Sequence, residues 1–416
     1  MRTLTLALAL VFVGTYAQAH RAPDGSTDQE WAAVRAPDRY VRTAIVNQGF
    51  SIENVKSDMA YGFAPTSIIE KLQKAGFDVT AHYPVSEIRA MDFPTNDGIY
   101  HNYDRMNQDL DALVAAHPGL VHKFSIGKSL EGRDITGIRI GAHAKDGLTP
   151  TALPGVVFMG GHHAREHLSV EVPLLLAHFL LENKDEKVLT ALDARDIFII
   201  PMVNPDGAEF DISSGDYQMW RKNRAPNKGE ACQGVDINRN YGYEWGTGGS
   251  STDACSDVYI GPKPFSEPES QAIKAFVEGH LNLKELLTFH TYSELVLYPW
   301  GHTYDAISNA KDLSTFQTMA KTMASWNGYT AEATHELYIA SGDTTDWAYG
   351  TLGIFAFTFE MSPNSDSFGG GGFYPGPTEI QHSFQANLKP AMYMIDLADD
   401  PHRAVTAPQT TLFYGQ

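Results

Sequence analysis

Short apolar runs alternate with amphipathic segments through most of the 416-residue chain. The apolar runs predict strands at 121–126, 135–140, 156–159, 197–203, 286–289 and 354–359. Segments with apolar residues three or four apart predict helices at 102–117, 170–181, 266–280, 310–325 and 378–397. The third of these helices begins with a capping box, Ser266 to Glu269. This alternation predicts a single large α/β domain over residues 95–400, with a mixed, mostly parallel central sheet flanked by helices.

The first residues of the chain predict an export signal. Arg2 precedes an apolar run at 4–13, and small residues at 17–19 form a cleavage site. We therefore expect residues 1–19 to be a signal peptide and the mature protein to be secreted, to the outside of the cell or into a periplasm. An apolar run of about ten residues is too short to span a bilayer, so we expect no membrane anchor.

Residues 20–94 predict a small α+β unit ahead of the large domain. Its predicted elements are a strand at 40–46, a helix at 67–75 and a strand at 77–83, followed by a polar link at 86–97. The helix begins with a capping box formed by Ser67 and Glu70. At the other end of the chain, residues 401–416 form a tail to which the pattern assigns no role.

Composition narrows the class of protein. The 31 basic and 50 acidic side chains give a net charge of −19, which argues against nucleic acid or an anionic membrane as the main partner. Hydrophobic residues make up 43% of the chain, enough for a large core, and a monomer is the default expectation. In an exported protein Cys232 and Cys255 can form a disulfide, the alternative being two buried thiols.

Polar side chains follow four of the predicted strands at the points where they end. In chain order the strands are followed by His163 and Glu166, by a turn at 204–207 that contains Asp206, by His290 and by Glu360. Because ligands bind at the carboxyl ends of such strands, we expect these side chains to lie at one edge of the sheet. A His/Glu/His set with one position left for water is a standard catalytic zinc site. The sequence therefore predicts a zinc centre at this edge.

A series of short segments resembles one known family. The segments are 163–166, 220–224, 234–240, 290–292, 298–300, 338–342, 346–347 and 357–360. In this order they resemble the zinc carboxypeptidases of the digestive A/B type, and in particular the bacterial members of broad specificity. The resemblance covers roughly residues 95–400, and Cys232 and Cys255 fall where the family has its disulfide. It implies a carboxypeptidase-like fold and a hydrolase that removes C-terminal residues from peptides and proteins.

The resemblance also implies the catalytic roles. His163, Glu166 and His290 would hold one Zn²⁺ per chain. Zinc lowers the pKa of its bound water to about 7, so that hydroxide forms near neutral pH. Glu360 would be the general base that takes the proton of this water and passes it to the leaving amine. Arg221 would stabilise the oxyanion of the tetrahedral intermediate.

Further residues are expected to bind the substrate. By resemblance, Asn238, Arg239 and Tyr338 would hold its terminal carboxylate, since Arg binds carboxylates in bidentate fashion and the other two supply neutral donors. Arg165 would contact the penultimate part of the substrate. Asp236 would accept a hydrogen bond from His163 and orient its ring towards the metal.

The floor of the specificity pocket departs from both well-known patterns of the family. The family places an aspartate there for basic side chains, or a bulky aliphatic residue for apolar ones. This chain has Thr345 at that position and Asp343 two residues earlier. Thr345 leaves room without charge, whereas Asp343 brings a carboxylate to the rim. We expect a mixed preference for apolar and aromatic C-terminal residues and, more weakly, for Lys or Arg.

Members of this family are commonly made as precursors, which suggests a role for residues 20–94. We expect them to be an activation segment that covers the site and is released by a protease cutting near Arg89, or elsewhere in the exposed link at 86–97. The alternative is a permanent accessory domain.

Three other functions fit parts of the sequence. His163, Glu166 and His167 also match the inverted zinc-peptidase motif H-x-x-E-H, with the two histidines as ligands, which would give an endopeptidase. That motif requires a continuous helix, and Gly160-Gly161 just before it favours a strand exit instead. A carboxypeptidase acting on cell-wall peptides would use the same residues. A non-enzymatic, peptide-binding relative is disfavoured because neither Glu360 nor a zinc ligand is missing.

Overall fold

The computed structural model describes residues 29–84, 100–213, 217–363, 372–375 and 377–407. Its strands are β1 (Gln29–Arg35), β2 (Ser51–Lys56), β3 (Met59–Pro65), β4 (Val79–Pro84), β5 (Val121–Lys128), β6 (Asp134–Ile140), β7 (Gly155–Met159), β8 (Asp196–Ile200), β9 (Leu283–Thr291), β10 (Leu295–Tyr298), β11 (Thr330–Ala333) and β12 (Phe355–Met361). Its helices are α1 (Arg39–Val46), α2 (Thr66–Lys74), α3 (Tyr103–Ala116), α4 (Leu168–Glu182), α5 (Glu186–Ala194), α6 (Pro205–Ile212), α7 (Pro268–Gly279), α8 (Ala310–Asn327), α9 (Thr334–Leu337), α10 (Thr344–Leu352), α11 (Pro377–Leu397) and α12 (Arg403–Thr406).

The central sheet has eight strands in the order β11-β10-β12-β9-β7-β8-β6-β5. The four middle strands β12, β9, β7 and β8 are parallel to one another, and β11 is parallel to β10. The other pairs, β10 with β12, β6 with β8 and β5 with β6, are antiparallel. The prediction of a mixed, mostly parallel sheet flanked by helices is confirmed.

Both faces of the sheet are buried, which is why its middle strands are continuous apolar runs. In β7, Val156 and Phe158 join the core cluster formed with α3, α4, α8 and α11. The alternating residues Val157 and Met159 join a second cluster on the other face, where Trp347 of α10 packs with α7. The sheet is therefore held rigidly between two helical layers.

Residues 29–84 form a separate four-stranded antiparallel sheet, in the order β2-β3-β1-β4, with α1 and α2. The predicted α+β unit is confirmed, but the predicted strand at 40–46 is wrong. These residues form α1, because the Asp38 carboxylate caps the helix by accepting the N–H groups of Tyr40 and Val41, both at 2.9 Å. Ile45 and Val46 are buried at the end of the helix.

The two predicted capping boxes are also wrong. Helix α2 starts at Thr66 after Pro65, with no side-chain hydrogen bond at its cap, and α7 starts at Pro268. Proline suits the first position of a helix because its fixed φ matches and its missing N–H has no helical partner. Pro268 therefore sets the start of α7 in place of Ser266.

Other predictions from the ends and links of the chain have mixed outcomes. The signal peptide at 1–19 and the link at 86–97 with Arg89 lie outside the described residues. The predicted tail begins with the short helix α12. Within the described ranges, no helix is long and apolar enough to cross a membrane. The disulfide between Cys232 and Cys255 is present, with their Cα atoms 5.0 Å apart.

The core contains one carboxyl group without a hydrogen-bond partner among the described residues. Glu285 lies in β9, is fully buried, and neither of its carboxyl oxygens is hydrogen-bonded there. Burial raises its pKa well above the usual range. The positive charge of Arg195 opposes this shift, and the negative charge of Asp396 adds to it. The folded chain therefore binds the Glu285 proton more tightly than the unfolded chain does.

This difference predicts how Glu285→Gln changes stability with pH. Above the ordinary Glu pKa of about 4.3, the wild-type free energy of unfolding falls as pH rises towards the raised value. Glutamine has no proton to lose. The difference in melting temperature, variant minus wild type, should therefore rise by a few degrees from pH 5 to pH 8. Calorimetry at both pH values measures this. The partly exposed Glu278→Gln in α7 is the control and should show no such gain.

Candidate active site

The middle of the sheet brings the predicted polar residues to one edge. Because β12, β9, β7 and β8 are neighbours and parallel, their carboxyl ends lie side by side. His290 near the end of β9 is paired in register with Glu360 near the end of β12. His163 and Glu166 follow β7 directly. Asp206, which follows β8, lies elsewhere, buried in α6 against Ser129.

His163, Glu166 and His290 form a compact cluster. Their possible ligand atoms all lie within 4.8 Å of one another, and all three side chains are buried. The Glu166 carboxylate is 2.6 Å from His163 Nδ1 through one oxygen and 3.0 Å from His290 Nδ1 through the other. The two Nδ1 atoms are 3.1 Å apart. Two imidazole nitrogens and a carboxylate that converge on one point suit a zinc ion.

The turn after β7 places these ligands and excludes the inverted motif. A Cβ at Gly160 would lie 1.9 Å from the Ser169 carbonyl oxygen, so only glycine allows the chain to pass there. Helix α4 starts at Leu168, so 163–167 is not helical. His167 lies 2.8 Å from Asp211 instead of facing the cluster. The endopeptidase alternative is therefore not supported.

Buried side chains fix both imidazole rings through contacts with their Nε2 atoms. Asp236 Oδ1 lies 3.2 Å from His163 Nε2, and Thr288 Oγ1 lies 3.2 Å from His290 Nε2. With Nε2 hydrogen-bonded, each ring presents Nδ1 to the cluster, which is the tautomer control that metal ligands need.

Arg221 lies beside the cluster. Its Nε and Nη2 donate to Asp236 Oδ2 at 3.1 and 3.0 Å, and its Nη1 is 3.8 Å from Glu166 Oε1. The guanidinium is buried, and Arg221 lines the same cavity as the cluster. The arrangement offers a fixed positive charge next to the candidate metal position.

Glu360 lines the same cavity as Arg221. Burial raises its pKa well above the usual range, and the nearby carboxylates of Glu166 and Glu53 raise it further. A carboxylate whose pKa is raised by its surroundings accepts a proton more readily than an ordinary carboxylate, as a general base must.

The residues expected to bind a terminal carboxylate line the cavity together. Asn238 and Arg239 lie in a 3-10 turn, Ile237–Arg239, which Asp236 caps by accepting the Asn238 N–H. Asn238 Oδ1 accepts from the Thr344 N–H and hydroxyl at 3.0 and 2.8 Å, which directs its oxygen to α10 and its amide away from it. Tyr338 completes the set, and burial raises the pKa of its hydroxyl.

Asp343 and Thr345 form one wall of the cavity at the start of α10. Asp343 Oδ1 caps the helix by accepting from the Thr345 N–H, the Thr345 hydroxyl and the Asp346 N–H at 2.9, 2.6 and 2.9 Å. Both side chains are buried, as the expected pocket floor requires.

The N-terminal unit contributes a charged residue to the cavity that the sequence did not predict. Glu53 of β2 and its neighbour Ile52 enter from the N-terminal unit. Glu53 Oε1 accepts a hydrogen bond from Arg165 Nη2 at 2.7 Å and lies 3.7 Å from Arg221 Nη1. Arg165, which we expected to contact substrate, is fully buried between Glu53 and Asp257. No local motif marks Glu53, because only the docking of the two units brings it here.

Comparison with known proteins identifies the family. A family model described as zinc carboxypeptidase matches residues 106–389. The chain belongs to the zinc carboxypeptidase family. The expected enzyme class, a metallocarboxypeptidase, is thereby confirmed, and the buried His/Glu/His cluster indicates a zinc-binding site.

Individual relatives agree with this family. The chain is 37% identical over 311 residues to a zinc carboxypeptidase of Saccharothrix mutabilis subsp. capreolus, covering 72% of this chain and 70% of that protein. It is 31% identical over 351 residues to zinc carboxypeptidase A 1 of Anopheles gambiae, covering 83% and 77%. The crystal structure of a carboxypeptidase A from Helicoverpa armigera shares the fold, with a TM-score of 0.73 at 24% identity over 92% of this chain and 99% of that one.

The contact between Asp236 and His163 predicts how strongly the zinc carboxypeptidase holds its metal. In Asp236→Asn the acceptor loses its charge, so zinc should bind about 10–100-fold more weakly. Competition with a chromophoric chelator measures the zinc dissociation constant. Asp257→Asn is the matched control, because Asp257 pairs with Arg165 and Gln29 and should leave zinc affinity as it is. Equal affinities for both variants would contradict the assigned contact.

Proposed function

We propose that the protein is a secreted zinc carboxypeptidase that binds one zinc ion and removes single C-terminal residues from peptides and proteins. The observation that carries this is the convergence of the zinc cluster, Arg221, Glu360 and the pair Asn238 and Arg239 on one cavity. A cavity that combines a hydrolytic centre with donors for a free carboxylate suits cleavage at a chain end. The predicted signal peptide supports secretion, and a monomer acting alone suffices for this chemistry.

The mechanism follows from where each side chain lies. When bound, zinc supplies a Lewis acid that makes water a nucleophile near neutral pH. Glu360 takes the proton of the attacking water and delivers it to the leaving amine. Arg221 donates from Nη1 to the oxygen on which negative charge develops. Asn238 and Arg239 hold the substrate carboxylate, so that the last peptide bond lies at the reacting centre.

The pocket floor supports a mixed preference for the removed residue. Thr345 and Asp343 offer one uncharged surface and one carboxyl group at the wall of the cavity. We infer that apolar and aromatic C-terminal residues are accepted, and Lys or Arg more weakly. A selectivity above roughly a hundredfold for one class, worth about 2.7 kcal/mol of transition-state binding, would contradict this.

We propose further that residues 20–94 are an activation segment released by cleavage near Arg89 in the link at 86–97. Glu53 supports this role by occupying the cavity between Arg165 and Arg221, where a substrate would pass.

Helix α1 makes a second set of contacts with the catalytic unit, next to Tyr338. Arg42 donates to the backbone carbonyls of Leu337 and Glu336, and the Thr43 hydroxyl accepts the Ile339 N–H at 2.8 Å. Both contacts would be lost on release of the segment, so α1 couples the position of the Tyr338 segment to the presence of the N-terminal unit.

A peptide-ladder experiment tests the activity. The secreted protein, with and without limited trypsin treatment, is incubated with peptides ending in Phe, Leu, Lys or Glu and analysed by mass spectrometry. We expect stepwise loss of single C-terminal residues, abolished by a zinc chelator and reduced at least about a thousandfold in Glu360→Gln, which cannot take up the water proton. Internal cuts would indicate an endopeptidase, and absence of cleavage with zinc bound would indicate a binding protein.

The same assay tests the activation segment. Glu53→Gln removes the negative charge between Arg165 and Arg221 and should weaken the hold of the segment on the site. We expect the uncut variant to be about tenfold more active than the uncut wild type, equivalent to about 1.4 kcal/mol. Glu70→Gln, an exposed change in α2 that affects only a pair with Lys74, is the control. If active secreted enzyme starts near His20 throughout, the segment is a permanent accessory domain.

A further inference from the structure

A fully buried histidine, His162, directly precedes the zinc ligand His163 and takes no part in the proposed mechanism. Both nitrogens of its ring contact hydroxyl groups. Nδ1 is 3.1 Å from Thr288 Oγ1, and Nε2 is 3.0 Å from the Tyr241 hydroxyl and 3.2 Å from Thr344 Oγ1. Burial lowers the pKa of His162 well below its usual range, so the ring is neutral. A neutral imidazole has one donor and one acceptor nitrogen, and it therefore connects the hydrogen bonds on its two sides.

On one side, Thr288 connects this ring to a zinc ligand. Thr288 and His290 are two residues apart in β9, so their side chains lie on the same face of the sheet. Thr288 Oγ1 is 3.2 Å from His290 Nε2, and the rings of His162 and His290 stack with their centroids 5.4 Å apart. When zinc occupies Nδ1 of His290, the N–H of that ring is on Nε2 and donates to Thr288. The Thr288 hydroxyl then donates its own proton to Nδ1 of His162.

On the other side, Thr344 connects the ring to a residue proposed to bind the substrate carboxylate. Because Nδ1 of His162 accepts, its N–H is on Nε2 and donates to Thr344, directly or through the Tyr241 hydroxyl, which is itself hydrogen-bonded to Thr344. The Thr344 hydroxyl donates to Asn238 Oδ1 at 2.8 Å, and its N–H donates to the same oxygen at 3.0 Å. With its oxygen occupied twice, Asn238 offers its amide N–H groups to a substrate carboxylate.

The same hydrogen bonds can run in the opposite direction. In the zinc-free protein the N–H of His290 can lie on Nδ1 and donate to Glu166 Oε2, 3.0 Å away, so that Nε2 becomes an acceptor. Each later hydrogen bond then reverses, and the Thr344 hydroxyl is drawn towards His162 and away from Asn238. A buried element with two arrangements, each favoured by a different state of the distant site, is what coupling between two sites requires.

We propose that His162 is a positioning residue that couples zinc binding to binding of the terminal carboxylate, through the hydrogen bonds that join His290 to Asn238. This inference rests on the proposed carboxypeptidase function and concerns the same site. Zinc favours the direction in which Thr344 donates to Asn238, so a carboxylate binds more tightly to the zinc-loaded protein than to the zinc-free one. By linkage, the carboxylate raises the affinity for zinc by the same factor. The zinc-free protein therefore holds only weakly the peptide ends that it cannot cut.

The test measures binding instead of hydrolysis. Full-length protein is treated with trypsin, the trypsin is inhibited, and the dissociation constant of 3-phenylpropanoate is measured by calorimetry with and without zinc. This ligand has a carboxylate and an aromatic ring but no peptide bond, and its amide, 3-phenylpropanamide, is the control for the carboxylate. The ratio of the two constants is the coupling factor, for which we expect at least about tenfold in the wild type. Zinc affinity measured with a chromophoric chelator, with and without the ligand, must give the same factor.

Three substitutions break the connection at different points. Thr288→Val and Thr344→Val keep the side-chain volume and remove one hydroxyl each, and His162→Phe keeps a ring without hydrogen-bonding nitrogens. Each should lower the coupling factor about fivefold, and the double threonine variant should lower it no further than either single one. Any coupling that arises from direct contact between ligand and zinc remains in all variants. Thr136→Val in β6 is the matched control, because this buried threonine donates to Asn107 at 3.0 Å and should leave the factor as it is.

The threonine variants distinguish coupling from a local structural role. Thr288 contacts a zinc ligand but not Asn238, and Thr344 contacts Asn238 but not a zinc ligand. Coupling predicts that Thr288→Val also weakens carboxylate binding to the zinc-loaded protein, and that Thr344→Val also weakens zinc binding in the presence of the ligand. These two variants keep the test decisive if His162→Phe does not fold.

The outcomes separate this inference from the proposed function. Equal carboxylate affinities with and without zinc, or a factor that the three substitutions leave unchanged, overturn the coupling. Strictly local effects of the two threonine variants overturn it as well. The peptide-ladder assay of the wild type tests the carboxypeptidase independently of these results. Failure to release C-terminal residues there, together with no binding of 3-phenylpropanoate, overturns the proposed function and this inference with it.

Discussion

The buried carboxylate of Asp236 connects three parts of the site. It lies 3.2 Å from His163 Nε2, accepts from Arg221 at 3.0 and 3.1 Å, and accepts the Asn238 N–H at 2.9 Å. Burial alone would raise its pKa, but the positive charge of Arg221 and the contact with His163 hold it well below its usual range. The candidate zinc ligand His163, the proposed oxyanion donor Arg221 and the turn proposed to bind the substrate carboxylate therefore share one fixed hydrogen-bond partner.

The sequence predicted the parts of the structure that depend on local pattern and parallel strands. The zinc cluster and Glu360 could be placed at one edge of the sheet because His163, His290 and Glu360 each follow an apolar run, and buried parallel strands end at a common edge. The N-terminal unit was harder, since alternation in 40–46 resembles a strand while the Asp38 cap makes it a helix. Glu53 could not be found, because its role arises from a contact with Arg165, 112 residues away in the chain.

The arrangement of charges is compatible with the proposed release of the N-terminal unit from the catalytic unit. Arg165 is also paired with Asp257, and Arg221 with Asp236, so each buried arginine keeps a carboxylate within its own unit. Glu53 adds a negative charge to two guanidinium groups that are already compensated. Its departure leaves no isolated buried cation, which would otherwise destabilise the catalytic unit.

The contact of α1 with residues 336–339 is made largely to the main chain. Arg42 binds the carbonyls of Glu336 and Leu337, and Thr43 binds the N–H of Ile339, so these bonds do not depend on the identity of the side chains they hold. Side-chain contacts in this region include the ion pair between Arg39 and Glu336 and the packing of Tyr338 against the apolar core of the N-terminal unit. Residues flanking Tyr338 can therefore diversify, in evolution or by design, and alter the rim of the cavity while the covering unit still recognises it.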